Sequence, residues 1–320
     1  MSTTEDIQIP ADPNMKLSVL RRYLHIIALL QNRNDQTNWN GNSIADLLTD
    51  EEHAIFPSTN TKVIDQNSIT RYVRDYLKKE LGIDIDGGSG SRKICLNRNL
   101  DEELLLNILP IYSTLVADDS SKEIILKNLI KKQPNTCLWN MAIIHFSTIK
   151  GFLVEFDYVN AKGACKRIRL APFHLVFRNN NLYLCGQREG CDGVYLFVFN
   201  RISNLKQTDY GFDTSLIKKS DEIFKGSLGS FIGDKFNVVI QYSEKLSAAI
   251  EEILSILEPK IIEFEPNEKG FCFEASFSVS DDLYLCKQLF MYGREVEIIK
   301  PVELRTLMIK MLKESSSLYE

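Results

Sequence analysis

The hydrophobic period of this chain changes once, near its middle, and that change limits what it can fold into. Up to Pro134 and Asn135 the apolar residues recur at helical spacing; beyond Phe146 they fall in short alternating runs divided by turn residues. A helical first part followed by a strand-rich second part is therefore expected. Ser18 to Gln31 places Val19, Tyr23, Ile26, Ile27 and Leu30 on one face of a helix. Asn42 and Ser43 are suited to cap a short helix over 44–48, and the polar stretch from Thr49 to Asp65 reads as a loop. Asn67 or Ser68 then caps a helix over 69–81 that Gly82 stops. The runs 83–85 and 92–96 flank Gly87-Gly88-Ser89-Gly90 and predict a hairpin. Two more helices are expected over 101–116 and 121–132, with Pro110 kinking or breaking the first.

A short segment around Trp139 to Phe146 follows, and after it the period changes. Aromatic and β-branched runs at 152–158, 167–177, 182–185 and 195–199, divided by turns, suggest a small barrel within about 60 residues. Residues 211–235 hold four glycines and read as a linker, in which GSLGSFIG (226–233) is flexible. The remainder runs strand, helix, strand, strand, helix, strand and a last helix, a βαββαβ order that predicts a ferredoxin-like domain. The expected organisation is a disordered tail at 1–14, a winged helix-turn-helix at 15–98, helical linker at 99–138, barrel at 139–210, linker at 211–235 and C-terminal domain at 236–320. The fold class is α+β and multidomain.

At 320 residues, 44% hydrophobic and 25% charged, the composition excludes disordered and collagen-like chains. No apolar run approaches the roughly 18–20 residues a membrane-spanning helix needs. The N-terminus is polar and acidic, unlike a secretory signal. Seven cysteines without CxxC spacing suit free thiols. Together these predict a cytoplasmic protein with no membrane partner.

The formal net charge is −5, but it is unevenly spread. Residues 15–100 hold 12 basic against 10 acidic side chains, residues 151–206 hold 8 against 4, and residues 207–320 hold 13 against 20. The first two regions suit anionic partners. Helix, short helix, basic helix and glycine-turn hairpin is the order of a winged helix-turn-helix. On its basic helix Arg71, Arg74 and Lys78 share one stripe, and Asn67, Ser68 and Thr70 stand at the end that meets base edges. Arg92 and Lys93 on the hairpin are placed to reach the backbone or minor groove of double-stranded DNA.

The string FLVEFDYVNAKGACKRIRLAPFHLVFRNNNLYLCGQREG, followed by VYLFVFNRISNLKQT, resembles a WYL domain. The matching positions are Phe156-Asp157-Tyr158, Arg169 with Pro172 and Leu175, Leu182-Tyr183-Leu184, and Arg201-Ile202; Leu182 stands where the namesake tryptophan is usual. The flanking domains, the second carrying Gly293-Arg294-Glu295-Val296 and Pro301-Val302-Glu303-Leu304, are similar to the three-part arrangement of WYL-domain-containing transcriptional regulators. That resemblance implies a bacterial regulator, in many cases linked to DNA damage or phage defence, with an SH3/Sm-like barrel that binds nucleic acid or a nucleotide. It also implies homodimerisation, and it adds Tyr183 and Arg201 to the pocket of Arg167 and Arg169.

Read from the residues, the barrel offers Arg167, Arg169, His174, Tyr183, Arg188 and Arg201 to a ligand. Arg167 and Arg169 are two apart on one strand and share a face, where their mutual repulsion would favour a phosphate between them. Arg201 has a competing reading as a structural partner of Glu155 or Asp157. GxxxxGK(S/T), GxGxxG after a strand, HExxH and GxSxG do not occur, and the four histidines are isolated in sequence. The expectation is a protein with no catalytic activity, metal or cofactor: a ligand-responsive regulator. The alternative is an accessory RNA- or single-strand-binding protein of a phage-defence system.

Overall fold

The computed structural model describes residues 17–35, 37–57, 63–87, 92–117, 123–160, 162–178, 181–191, 193–218, 235–254 and 257–319. The expected tail at 1–14, the glycines at 88–90 and the glycine-rich 226–233 lie outside these residues. Helix and sheet are mixed, the sheets are small and open, and the chain divides into two compact units, residues 1–190 with 197–214 and residues 191–196 with 215–320.

The first unit opens with α1 (Leu17–Leu30), α2 (Gly41–Ile55) and α3 (Gln66–Arg71), which continues as a π-helical turn over Tyr72–Lys78. α2 is much longer than the helix expected over 44–48, and residues 49–55 of the expected loop belong to it. Its cap is Asn40, whose side chain accepts from the backbone of Asn42 and Ser43 while Ser43 Oγ accepts from Asn40 N. The acidic residues that read as loop are partners of α1. Glu52 takes a two-point bond from Arg22 at 2.6 and 2.9 Å, and Glu51 lies buried against Arg21 at 3.1 Å. α3 is capped by Asp65, not by Asn67 or Ser68, with Asp65 Oδ1 accepting from Ser68 N at 2.7 Å. Tyr23 of α1 stacks on Tyr76 with centroids 4.1 Å apart and meets Tyr72 edge-on at 5.1 Å.

The hairpin is short: β1 (Ile85–Asp86) pairs antiparallel with β2 (Cys95–Leu96), and Ile94 N donates to Trp39 O at 2.7 Å. Gly87 holds φ +89°, and a Cβ there would lie 2.1 Å from the Lys93 carbonyl oxygen, so the turn requires glycine. α4 (Glu102–Val116) runs through Pro110 without a break, so of the two expected outcomes the break does not occur. Leu105, Ile108, Leu109 and Tyr112 are buried on both sides of the proline, and that burial outweighs one missing backbone bond.

After α5 (Glu123–Lys132) comes α6 (Cys137–Lys150), where the sequence reading placed only a short segment. Its buried residues run continuously from Cys137 to Ile144 and so occupy its whole circumference, which removes the one-sided pattern that marks a surface helix. Thr136 provides no side-chain cap. Instead Gln31, just beyond α1, accepts from Leu138 N at 2.8 Å and Trp139 N at 3.1 Å and donates to Pro134 O at 2.9 Å. Gln133 accepts from Asn140 Nδ2 and donates to the carbonyls of Phe199 and Ile202. Two histidines isolated in sequence also meet here. The rings of His25 and His145 stack 5.3 Å apart, with His25 Nε2 2.9 Å and His145 Nε2 2.8 Å from Glu51 Oε1.

α6 packs beneath a five-stranded antiparallel sheet of order β6–β5–β4–β3–β7, made of β3 (Phe152–Val159), β4 (Cys165–Arg178), β5 (Asn181–Arg188), β6 (Tyr195–Val198) and β7 (Ile202–Gly211). The strands expected as a small barrel form an open sheet in their hydrogen bonding, with β6 and β7 as its edges. Val154, Phe156, Ile168, Leu170, Leu175, Phe177, Leu182 and Leu184 face the core. A bulge between Pro172 and His174 shifts the inward positions of β4 from even to odd numbers.

The second unit has the expected order β8 (Phe236–Tyr242), α7 (Ser247–Leu254), β9 (Lys260–Glu263), β10 (Phe273–Val279), α8 (Asp282–Phe290), β11 (Val296–Lys300) and α9 (Val302–Ser316). Its antiparallel sheet runs β11–β8–β10–β9. Val238, Ile240 and Tyr242 alternate inward on β8 against Ile250, Leu254, Leu285 and Leu289 of α7 and α8.

Gln31→Ala leaves two buried N–H groups at the start of α6 without an acceptor. It is expected to cost about 1–3 kcal/mol in urea unfolding. A loss below about 0.5 kcal/mol would show that α6 does not depend on this cap.

Candidate nucleic-acid interface

On the N-terminal helices, the residues expected to meet DNA lie at the surface but do not present equal charge. Asn67 is exposed, Ser68 and Thr70 are half-buried, and Thr70 Oγ1 donates back to Gln66 O at 3.0 Å. Arg71 is exposed, with its guanidinium 5.9 Å from the Tyr72 ring. Arg74 is held by its neighbour Asp75 through two bonds of 2.8 and 2.9 Å. That pairing holds the Asp75 carboxyl down at about 2. Lys78 turns toward the hairpin, where Nζ donates to Ile85 O at 3.3 Å. Of the expected stripe, Arg71 thus has no acidic partner among the described residues, Arg74 is compensated by Asp75, and Lys78 braces the hairpin. Arg92 and Lys93 are exposed beside the turn, and Lys93 borders a hollow of 490 Å³ shared with Arg33, Asp35 and Trp39.

On the sheet, Arg167 and Arg169 project from the face opposite the core, as their spacing requires. They do not repel across an empty gap. Arg167 bonds Asp157 at 2.8 Å and Glu155 at 2.9 Å; Arg169 bonds Glu189 at 3.0 Å and lies 3.4 Å from Glu155. Lys206 joins Glu155 at 3.1 Å and Asn204 Nδ2 donates to Asp157 at 2.8 Å. Three cations meet three carboxylates, which removes the expected electrostatic strain. The guanidinium of Arg169 sits 5.1 Å from the ring centroid of exposed Tyr210, and its buried Nε has no hydrogen-bond partner.

The other expected ligand residues do not converge with this pair. Tyr183 is buried opposite Val176 and offers no open stacking face. A rise of about 3.3 Å per residue puts that position roughly 20 Å along β4 from Arg169. His174 is half-buried at the bulge, paired with Cys185. Arg188 registers against core-facing Leu170 and therefore points away from the face of Arg169. Arg201 is exposed in a 3₁₀ turn (Phe199–Arg201), and Glu155 and Asp157 are matched by Arg167, Arg169 and Lys206, not by Arg201. The structural role weighed for Arg201 against those two carboxylates is thereby corrected. Lys206, Glu189 and Tyr210 are members of the cluster that sequence reading missed. The signal available was the i, i+2 alternation of Glu155 with Asp157 opposite Arg169 and Arg167.

The hydrogen bond from Arg167, reinforced by that from Lys206, holds the Glu155 carboxyl down at about 2, from an ordinary value of 4.5. A depressed carboxylate contributes stability above the unfolded value and loses it as pH falls through the folded one. The stability difference between the wild type and Glu155→Gln should therefore be constant above about pH 5 and shrink from about pH 4.5 towards 2. Urea titrations across that range measure it, and a pH-independent difference would contradict the pairing.

The WYL domain family matches residues 141–207, and the WCX domain family matches residues 234–315. No curated protein matches the chain. Among solved structures, proteasome accessory factor B/C (PafBC) of Arthrobacter aurescens is similar at 14% identity and a TM-score of 0.26, over 92% of this chain and 46% of its own. The chain thus spans about half the length of that protein. A CRISPR Cas-related protein is similar at 15% identity and a TM-score of 0.38, over 95% of this chain and 87% of its own. No helix among the described residues is long and apolar enough to cross a membrane. After its helical N-terminal part the chain thus carries a WYL domain followed by a WCX domain.

Proposed function

We propose that this protein is a DNA-binding transcriptional regulator whose WYL sheet responds to an anionic ligand, a nucleotide or short oligonucleotide. The observation that carries the reading is the exposed edge of α3 and its π-helical continuation, with Arg71 and Arg74 beside a hairpin bearing Arg92 and Lys93. Helix, helix, helix and hairpin in this order support a winged helix-turn-helix, with α3 entering the major groove and the hairpin following the backbone. Phosphate neutralisation supplies most of the affinity of such a surface, and Arg71, unlike Arg74, has no carboxylate partner among the described residues.

The sheet supports the ligand half of the proposal through Arg167, Arg169, Lys206 and the exposed ring of Tyr210. A phosphate would compete with Glu155 and Glu189 for guanidinium forks suited to either anion. Tyr210 supplies the stacking surface that buried Tyr183 does not. In this reading the five strands are an opened SH3/Sm-like barrel. The β11–β8–β10–β9 order supports a ferredoxin-like C-terminal domain. The protein acts as a homodimer, because one recognition helix covers only one half-site.

Two variants test the DNA surface. Arg71→Ala should weaken duplex binding and lower the slope of log K against log salt by about 1. Asp75→Asn, which releases Arg74, should strengthen it. Fluorescence anisotropy of the full chain against duplex and single strands at several salt concentrations reads both. Unchanged duplex affinity in both variants would remove α3 from the interface. Preference for single-stranded RNA with no duplex binding would favour the accessory RNA-binding reading instead.

A further inference from the structure

We propose that His25, Glu51 and His145 form a binding site for a divalent transition-metal ion of the zinc class. Each comes from a different helix: His25 from α1, Glu51 from α2 and His145 from α6. Their ligand atoms all lie within 4.8 Å of one another. Two imidazoles and one carboxylate are the donor set that zinc takes when it keeps a further position for water.

The geometry of His25 points to a ligand beyond the protein. Its ring is fully buried, and Nε2 has no hydrogen-bond partner although Glu51 Oε1 is only 2.9 Å away. The contact has the length of a hydrogen bond without its alignment. The other ring nitrogen, Nδ1, is 3.0 Å from the hydroxyl of Tyr112 on α4. With the proton on Nδ1, that N–H donates to the Tyr112 hydroxyl oxygen and Nε2 presents a lone pair, the outer-shell arrangement that orients a metal-bound histidine. Arg21 Nε, 3.1 Å away, donates to the same Glu51 Oε1 and helps to fix the carboxylate.

The two N–O edges, 2.8 and 2.9 Å, are hydrogen-bond lengths. Bonds of about 2.0–2.1 Å in a tetrahedral site need edges of roughly 3.3 Å, so the helices would part by about half an ångström. Binding requires the hydrogen that lies between His145 Nε2 and Glu51 to leave that nitrogen, which a neutral imidazole does by passing to its Nδ1–H tautomer. His145, whose side chain is 15% exposed, is the route of entry and the place where water completes the shell. A metal here fastens α1 and α2 to α6, the helix that supports the WYL sheet.

The test uses Co²⁺ as a spectroscopic probe on the full chain after chelator treatment and buffer exchange. The wild type should develop visible ligand-field absorption that saturates at one Co²⁺ per chain and is abolished by added Zn²⁺. Zn²⁺ should also raise its melting temperature. His145→Ala, at the partly exposed edge, should stay folded by circular dichroism and lose both responses. Glu51→Gln, which removes the ligand charge while keeping a polar side chain, should bind at least ten-fold more weakly. Absence of saturable absorption in the wild type, or equal uptake by folded His145→Ala, would overturn the proposal. Should His145→Ala unfold, the decision passes to the Glu51→Gln titration, where unchanged affinity overturns it.

Discussion

The start of α6 is where the first unit is held together. A helix buried around its whole circumference has no water to satisfy its first N–H groups, so a protein acceptor is required. Gln31 supplies it from 107 residues earlier, and Gln133 ties the same junction to the carbonyls of Phe199 and Ile202 near the start of β7. Two glutamines thereby fix α1, α6 and the sheet to one point. Glu51 adds a second tie further along, joining Arg21 and His25 of α1 to His145 of α6. Burial pushes the Glu51 carboxyl upward, but the His145 hydrogen bond and the His25 imidazole reverse this and hold it well below the ordinary carboxylate range. The helices that carry the proposed DNA surface and the helix that carries the WYL sheet are therefore packed through the same buried polar groups.

Charge on the two proposed surfaces is handled in the same way. Arg74 is matched by Asp75, and Arg167 and Arg169 are matched by Glu155, Asp157 and Glu189. An anion reaching either surface exchanges one partner for another and does not relieve bare repulsion. Such exchange favours ligands that take both the guanidinium fork and the neighbouring ring, since a lone anion gains little over a carboxylate already in place. Where pairing is absent, as at Arg71, the full charge is available to phosphate.

Element types were largely legible from the residues, because period and turn chemistry are local. β3 to β6, the strands of the second unit and α1 follow directly from alternation or helical spacing, whereas β7 (Ile202–Gly211) lies beyond the runs read from the sequence. Failures came where distant partners decide. Glu51 and Glu52 read as loop residues until α1 supplies Arg21 and Arg22. α6 shows no period because every side of it is covered. Pro110 fails to break α4 because burial on both sides outweighs the missing donor. The candidate ligand residues are not brought together for related reasons: the bulge at Pro172 and the hydrogen-bond register, neither visible in sequence, separate Tyr183 and Arg188 from Arg169. Three histidine and glutamate ligands on three helices leave no spacing motif at all.

The claim that the N-terminal helices, and not the WYL sheet, form the duplex-binding surface is tested most directly by hydrogen–deuterium exchange of the full chain with and without duplex DNA. The account predicts slowed exchange over 66–78 and around the hairpin at 85–96, with β3 and β4 unchanged. Protection confined to the strands at 152–178, with none over 66–78, would contradict it.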